Sequence, residues 1–356
     1  MQSKGQRTIW TGRLAPSPTG ALHLGNARTF LLAWLSIRHR GGRIILRIED
    51  IDSPRVKSWA RQATLDDLRW LGLDWDCGPE DEQISDSNSH AGSDANNDFS
   101  HRPKSSGKSL NTPKASPYVQ SARLAIYQPY LESLIATERV YPCDCSRSEV
   151  EASASAPHEA LEGPVYAGAC RHRSARDAAQ LDPADFAWRF RSSQSTIQWR
   201  DELSGLQSAN VGAQLGDFIV AKGTGTPAYQ LAVVIDDHLM GVSEVVRGDD
   251  LAPSTFRQVD LLQTFGWPIP NYLHVPLMIG EDGRRLAKRH GDTRLSWFRR
   301  SGYSPEALIG YLAWSAGLIT HPNPCRPSDL IPHWNPQRLH RHPFIVKKVS
   351  GTFLAG

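Results

Sequence analysis

Short apolar runs alternate with amphipathic stretches along the first quarter of the chain. Thr8–Leu14 and Arg43–Ile48 are brief runs bounded by Gly and Pro, which predicts buried strands. Between them, Leu24–Arg40 carries apolar residues at helical spacing. Ser53 and Pro54 have the residue types of an N-cap and first turn, so a second helix is expected from there through Leu71. This alternation predicts a parallel α/β sheet with its ligand crevice at the C-terminal ends of the strands. Arg13 and the pair Glu49–Asp50 fall at such ends. Further on, Leu124–Val140 predicts an amphipathic helix, and Trp188–Arg191, Asp217–Ala221 and Ala228–Ile235 predict strands of a mixed insertion. Val242–Arg247 and His274–Ile279 are expected as late strands of the main sheet, and Pro305–Leu318 as a helix. No internal repeat is evident.

Gly78–Pro117 breaks the pattern. It is Ser, Asn, Asp, Gly and Lys, acidic in its first half and basic in its second, with almost no large apolar residues. Burial cannot offset its ordering entropy, so a disordered insertion is expected. A chain of 356 residues otherwise allows two or three domains, and a net charge of +3 does not by itself announce nucleic acid. Charge is concentrated locally: between Arg284 and Arg300 seven Lys/Arg face the single acid Asp292, as a polyphosphate or RNA backbone would need. No run is long enough for a transmembrane helix and Met1–Trp10 has no signal-peptide pattern, so a cytoplasmic protein without membrane contact is expected. Five cysteines, odd in number and partly clustered, read as metal ligands in a reduced compartment rather than as a disulfide framework.

The densest chemistry lies in Arg13–Asn26, RLAPSPTGALHLGN. It combines a strand end, a Pro/Gly turn, a histidine and a helix N-terminus, whose free N–H groups and dipole favour phosphate. A lone HxGN is an ordinary strand–turn–helix corner. The whole string resembles the first signature of class I aminoacyl-tRNA synthetases in its glutamyl branch, where HLGN stands for the HIGH tetrapeptide. The loop Arg285-Leu286-Ala287-Lys288-Arg289 resembles the second signature, KMSKS, with Arg285 in place of the first lysine and Ala287 in place of the serine. The resemblance covers roughly Arg7–Leu318 apart from the insertion. It implies a Rossmann-type parallel sheet, an inserted α+β zinc-containing subdomain and a short C-terminal helical part. It implies catalytic roles for His23 and Lys288, and ATP binding by His23, Gly25, Asn26 and Lys288, with Mg²⁺ accompanying ATP.

Glutamate carries one ammonium and two carboxylates, so its site should supply two cations and an anion. The resemblance assigns glutamate binding to Arg13, Leu14, Ala15, Pro16, Ser17, Glu49, Tyr229 and Arg247. The cluster Cys143-x-Cys145 followed by Tyr166-x-x-x-Cys170 suits zinc, which takes four ligands in structural sites. By residue chemistry the fourth ligand is His172 or His158. In one branch of the glutamyl family the pattern is CxC…YxxxC and the tyrosine oxygen completes the site, which implies Tyr166, with His172 as runner-up. Cys77 and Cys325 read as bystanders.

The expected organisation is 1–77 for the first half of the nucleotide-binding domain, 78–117 for the insertion, and 118–235 for the rest of that half with the zinc subdomain. Residues 236–290 then hold the second half with the KMSKS-like loop, and 291–356 a short helical tail. With little sequence after Lys288, the resemblance narrows to a branch without an anticodon-binding domain. That branch activates L-glutamate with ATP and transfers it to the queuosine base at the wobble position of tRNA(Asp), acting here as a monomer. The alternatives are a shortened glutamyl enzyme charging a tRNA 3′ end, and a non-catalytic RNA-binding module.

Overall fold

The structure is a computed structural model that describes residues 9–51, 56–79, 116–153, 165–286 and 292–347. The chain opens with a β–α–β unit of β1 (Thr11–Leu14), α1 (Leu24–His39) and β2 (Arg43–Leu46), in which β1 and β2 are parallel and Arg13 stands opposite Ile45. Leu31, Leu35, Ile44 and Leu46 are almost fully buried between helix and strands. Gly12 is required there, because a Cβ would stand 2.4 Å from Cγ1 of Ile37 on α1.

Helix α2 (Ser58–Trp70) begins later than the Ser53–Pro54 signal predicts. Lys57 is its extended N-cap, and the Lys57 N–H donates to Pro18 O at 3.0 Å, which holds the entry to the helix against the turn after β1. Ser53 and Pro54 themselves lie outside the described residues, as does the insertion between 80 and 115. Helix α3 (Leu124–Ala136) stops short of the expected Val140: Glu138 turns into the left-handed region at φ 54°, and Val140 opens strand β3 (Val140–Cys143). β3 joins β4 (Ala187–Phe190) and β7 (Phe218–Lys222) in a three-stranded antiparallel sheet, with the hairpin β5 (Thr196–Asp201) and β6 (Gly205–Asn210) between them in sequence.

The segment Ala228–Ile235, expected as a strand, is the helix α4 (Tyr229–Leu239). An unbroken apolar run does not distinguish a buried strand from a helix buried all round, and Leu231–Ile235 are all enclosed here. β8 (Glu244–Gly248), α5 (Ala252–Phe265) and β9 (Asn271–Val275) complete the second half of the fold. β8 and β9 are parallel with Arg247 opposite His274, β9 meets β5, and β8 abuts β1, where the Ser243 N–H donates to Thr11 O at 2.9 Å. The expected strand His274–Ile279 is broken at Pro276, and Met278 starts a separate strand, β10 (Met278–Gly280), paired with β11 (Phe344–Val346). Helices α6 (Leu295–Arg300) and α7 (Pro305–Ser315) pack beside α1; Ser304 caps α7 by accepting the Ala307 N–H. Among the described residues no helix is long and apolar enough to cross a membrane.

The two halves meet over a buried ionic hub at the end of α4. Asp236 is fully buried and accepts hydrogen bonds from Gln120 (2.8 Å), Arg123 (2.8 Å) and Tyr127 (2.9 Å). Its neighbour Asp237 accepts from the fully buried Arg47 at 2.7 Å. Removing one partner of such a pair leaves an uncompensated buried charge. Asp236→Ala is therefore expected to lower unfolding free energy by about 3–5 kcal/mol in chemical denaturation; a loss under about 1 kcal/mol would show that the hub is not a structural constraint.

Candidate active site

The C-terminal ends of β1, β2 and β8 open into a cleft of about 710 Å³. Parallel pairing places Arg13, Glu49 and Arg247 around one rim of it, and the turn from Ala15 through Gly20 forms another wall. Arg13 is buried. Its Nη1 donates to Val246 O at 3.2 Å and its Nε lies 3.7 Å from Asp237 Oδ1. Burial lowers the guanidinium pKa, and Asp237 opposes that shift. Glu49 accepts from Arg47 Nη2 at 2.9 Å. Burial raises its pKa while Arg47 and Arg13 pull it down.

Arg247 is 5% exposed and its partners are neutral: His274 Nε2 (3.1 Å), Thr255 Oγ1 (2.7 Å), Gln258 Oε1 (2.9 Å) and, more loosely, Tyr229 Oη at 3.5 Å. Tyr229, first residue of α4, lines the same cleft. Around the cleft, Arg13, Arg47 and Arg247 face the carboxylates Asp237 and Glu49, since Asp236 is engaged by Arg123. Within this group of described residues the arginines outnumber the carboxylates by one. Ala15, Pro16 and Ser17 line the cleft, whereas Leu14 sends its side chain into the core at 1% exposure; its carbonyl is occupied by the Arg47 N–H.

On the adjoining wall, His23 is the N-cap of α1. Its Nδ1 accepts the Gly25 N–H at 3.1 Å, and Asn26 Oδ1 accepts the His23 N–H at 3.2 Å. An Nδ1 that accepts must be unprotonated, so the ring proton sits on Nε2 and is free to donate. Burial lowers the His23 pKa, which keeps the ring neutral. Gly25 matters for this geometry: a Cβ there would come within 3.1 Å of His23 Cε1. Lys288 and Ala287 lie outside the described residues. The loop's first two residues are placed: Leu286 is buried, and Arg285 pairs with Asp250 across the cleft mouth.

The sulfurs of Cys143, Cys145 and Cys170 lie within 4.8 Å of one another. Tetrahedral thiolates at zinc–sulfur distances of about 2.3 Å sit ~3.8 Å apart, so the three could hold a metal with small adjustment. Tyr166 Oη is 3.5 Å from Cys143 Sγ and 3.7 Å from Cys145 Sγ, and accepts the Cys170 N–H at 2.7 Å. Arg189 covers the Tyr166 ring at 3.8 Å. His172 turns outward, with its Nδ1 3.0 Å from Ala169 O, and His158 lies outside the described residues. All five cysteines are free.

Sequence reasoning missed the residues that hold the arginines. Arg47 in the apolar run Ile44–Ile48 and the two aspartates directly after Leu231–Ile235 were the available signal, since charge inside a buried run demands a partner. His274, Asp201, Thr255 and Gln258 carried no comparable signal: strand register brings His274 to Arg247, Asp201 reaches it only through His274, and helix α5 supplies Thr255 and Gln258.

Residues 10–319 match a family model described as the catalytic domain of class I tRNA synthetases (E and Q). The chain is 44% identical over 348 residues to a Glutamyl-Q tRNA(Asp) synthetase of Symbiobacterium thermophilum, covering 97% of this chain and 98% of the relative. It is 41% identical to one of Rhodopirellula baltica, covering 96% of this chain and 97% of the relative. It is 40% identical to Glutamate–tRNA ligase 2 of Syntrophus aciditrophicus, which it covers over only 56% of that protein's length. Among solved structures, a glutamate tRNA ligase of Elizabethkingia meningosepticum in complex with its amino acid superposes with a TM-score of 0.72 at 27% identity. That match covers 95% of this chain and 67% of the other.

The cysteine geometry yields a direct test. Cys145→Ser and Cys170→Ser are expected to lose bound zinc measured by elemental analysis of protein purified with zinc present, and His172→Ala to retain it. Loss of zinc in His172→Ala would move the fourth ligand away from the tyrosine.

Proposed function

The chain belongs to the class I tRNA synthetase family of glutamyl and glutaminyl type, and on that premise we propose that it activates L-glutamate with ATP and transfers it to the queuosine base at the wobble position of tRNA(Asp). The observation that carries the amino-acid reading is the charge balance of the cleft. Among the described residues around Arg13, three arginines outnumber two carboxylates by one, with Asp201 set behind His274 on backbone N–H groups, and free glutamate at neutral pH carries one net negative charge. Arg13 and Arg247 would take the two carboxylates and Glu49 the ammonium. The polynucleotide reading is supported by the relatives that match from end to end, which are named for glutamyl-Q tRNA(Asp), whereas the glutamate–tRNA ligase extends well beyond the matched part.

In the first step a glutamate α-carboxylate oxygen attacks the α-phosphorus of ATP in line, forming the new P–O bond as the bond to pyrophosphate breaks. The Nε2–H of His23 and the positive dipole end of α1 would stabilise charge gathering on the phosphates. Gly25 and Asn26 keep that helix start open and capped, and Lys288 would act on the same phosphates from the loop. Mg²⁺ arriving with ATP supplies further neutralisation of phosphate charge. Acceleration comes mainly from positioning and preorganised electrostatics. In the second step a hydroxyl of the queuosine cyclopentene ring attacks the mixed anhydride and AMP departs. An unstacked anticodon-loop base is a usual target for sequence-specific RNA recognition.

Cys143, Cys145, Tyr166 and Cys170 would hold zinc as a structural cross-link between β3 and the segment leading to β4. The enzyme would meet these substrates in the cytoplasm. It would act as a monomer.

Purified protein is expected to catalyse glutamate-dependent ATP–pyrophosphate exchange without tRNA, and to transfer labelled glutamate to tRNA(Asp) that contains queuosine but not to the same tRNA lacking it. Transfer to queuosine-free tRNA would instead favour 3′-end charging, and absence of exchange would favour a binding module. Within the exchange assay, Arg247→Ala should raise the KM for glutamate about 100-fold, the loss of a charged hydrogen-bonded contact. Lys288→Ala should depress kcat with little change in glutamate KM.

A further inference from the structure

Arg247 is held from behind by two residues that face neither the cleft nor solvent. His274 stands opposite it in the β8–β9 register, and Arg247 Nε donates to His274 Nε2 at 3.1 Å. The other ring nitrogen, Nδ1, lies 2.8 Å from Asp201 Oδ2. Asp201 also accepts the His274 backbone N–H at 2.9 Å, and its other oxygen takes the N–H groups of Leu203 and Ser204. The side chains of His274 and Asp201 are 2% and 0% exposed.

Thr255 Oγ1 also lies 3.0 Å from His274 Nε2 and can turn its hydroxyl proton to a bare nitrogen, so the wiring favours one proton arrangement. An ionised carboxylate can only accept, so Nδ1 carries the ring proton. Nε2 is then a bare lone pair, which is what a guanidinium N–H requires. The opposite tautomer would aim an N–H at a cation and leave two acceptors facing each other at Asp201. Imidazolium would satisfy Asp201 but set a second cation against Arg247, and burial keeps the ring from protonating by holding its pKa down.

With Nε fixed by His274 and Nη2 by Thr255 and Gln258, the Arg247 guanidinium has its plane set, and Nη1 is left beside Tyr229 on the cleft side. We propose that His274, oriented by Asp201, is a positioning residue for amino-acid recognition: it fixes the guanidinium plane of Arg247 through an Nδ1–H tautomer locked by the carboxylate. The inference rests on the reading of Arg247 as a ligand of a glutamate carboxylate. A loose guanidinium would still attract the anion, but would no longer hold Nη1 aimed into the cleft for an aligned, charge-assisted contact with a carboxylate.

Two replacements separate the two ends of the ring. His274→Asn retains a donor at the Nδ1 position and offers no acceptor at the Nε2 position; His274→Gln carries an amide oxygen out to where Nε2 stood. In ATP–pyrophosphate exchange, His274→Asn is expected to raise glutamate KM about 10- to 100-fold, with ATP KM and kcat within about threefold of the parent. His274→Gln is expected to recover most of that loss. An unchanged glutamate KM in His274→Asn, or equal rises in both KM values, overturns the proposal. Nitrogen-15 NMR of the unsubstituted protein reads the tautomer without reference to activity: a proton on Nδ1 and none on Nε2 supports it, and the reverse overturns it even if a variant fails to fold. Absence of glutamate-dependent exchange in the unsubstituted protein would count against the glutamate reading itself, while the tautomer measurement still tests the relay separately.

Discussion

Burial of charge is the constraint on which this structure depends. Arg47 is fully enclosed, and an unpaired guanidinium there would cost more than most folds can offset. Asp237 and Glu49 satisfy it from two directions, and Asp236 beside them gathers Gln120, Arg123 and Tyr127. Chain segments distant in sequence are thereby required to meet at one place. Paired buried charges add little net stability over a well-packed apolar core. Their value here is geometric: they leave only one arrangement in which every charge has a partner. The same arrangement delivers Glu49 and Arg13 to the cleft already engaged by partners.

The site therefore grows out of the sheet rather than out of loops laid over it. Arg13, Glu49 and Arg247 issue from adjacent strand ends, and strand register sets their spacing. His23 enters from the following helix start. There the residue that addresses the phosphates is also the residue that caps the helix, so an imidazole proton and a backbone N–H are settled by one hydrogen bond. The cysteine cluster stands apart on the antiparallel sheet, where Arg189 lies over Tyr166 and Asp217 accepts Tyr141 Oη at 2.7 Å.

Much of this was legible in the residues. Strand, turn, His23 and helix are where Arg13–Asn26 predicts them, because Pro, Gly and a capping side chain act locally. The three cysteines converge with Tyr166: Cys143 and Cys145 share one strand end, and Tyr166 and Cys170, 21 and 25 residues from Cys145, come back to it. What the residues did not yield has separate causes. Ala228–Ile235 is helical, not extended, because its apolar run has no period to read; only its enclosure on every side decided the matter. His274 looked like a strand residue with no task, and acquired one from a neighbour 27 positions away. Leu14 sits between Arg13 and Ala15 in sequence yet points the other way, as alternation along a strand requires. Long-range pairing is what local pattern does not encode.

One edge of the sheet carries a further implication. Cys77 bridges Ile45 and Val119 bridges Ile48, both in parallel along β2 and its continuation, so two separate stretches of chain share one edge-strand position. Ile45 and Ile48 are three residues apart, a span of roughly 10 Å. The chain thus departs and returns at nearly the same point, with both anchor points fastened independently. Closing a loop between fixed ends costs only a logarithm of its length. At this position the fold behaves as an open port, where sequence can be added or exchanged over evolution, or by an engineer attaching a second module, while the register that aligns the arginines stays as it is.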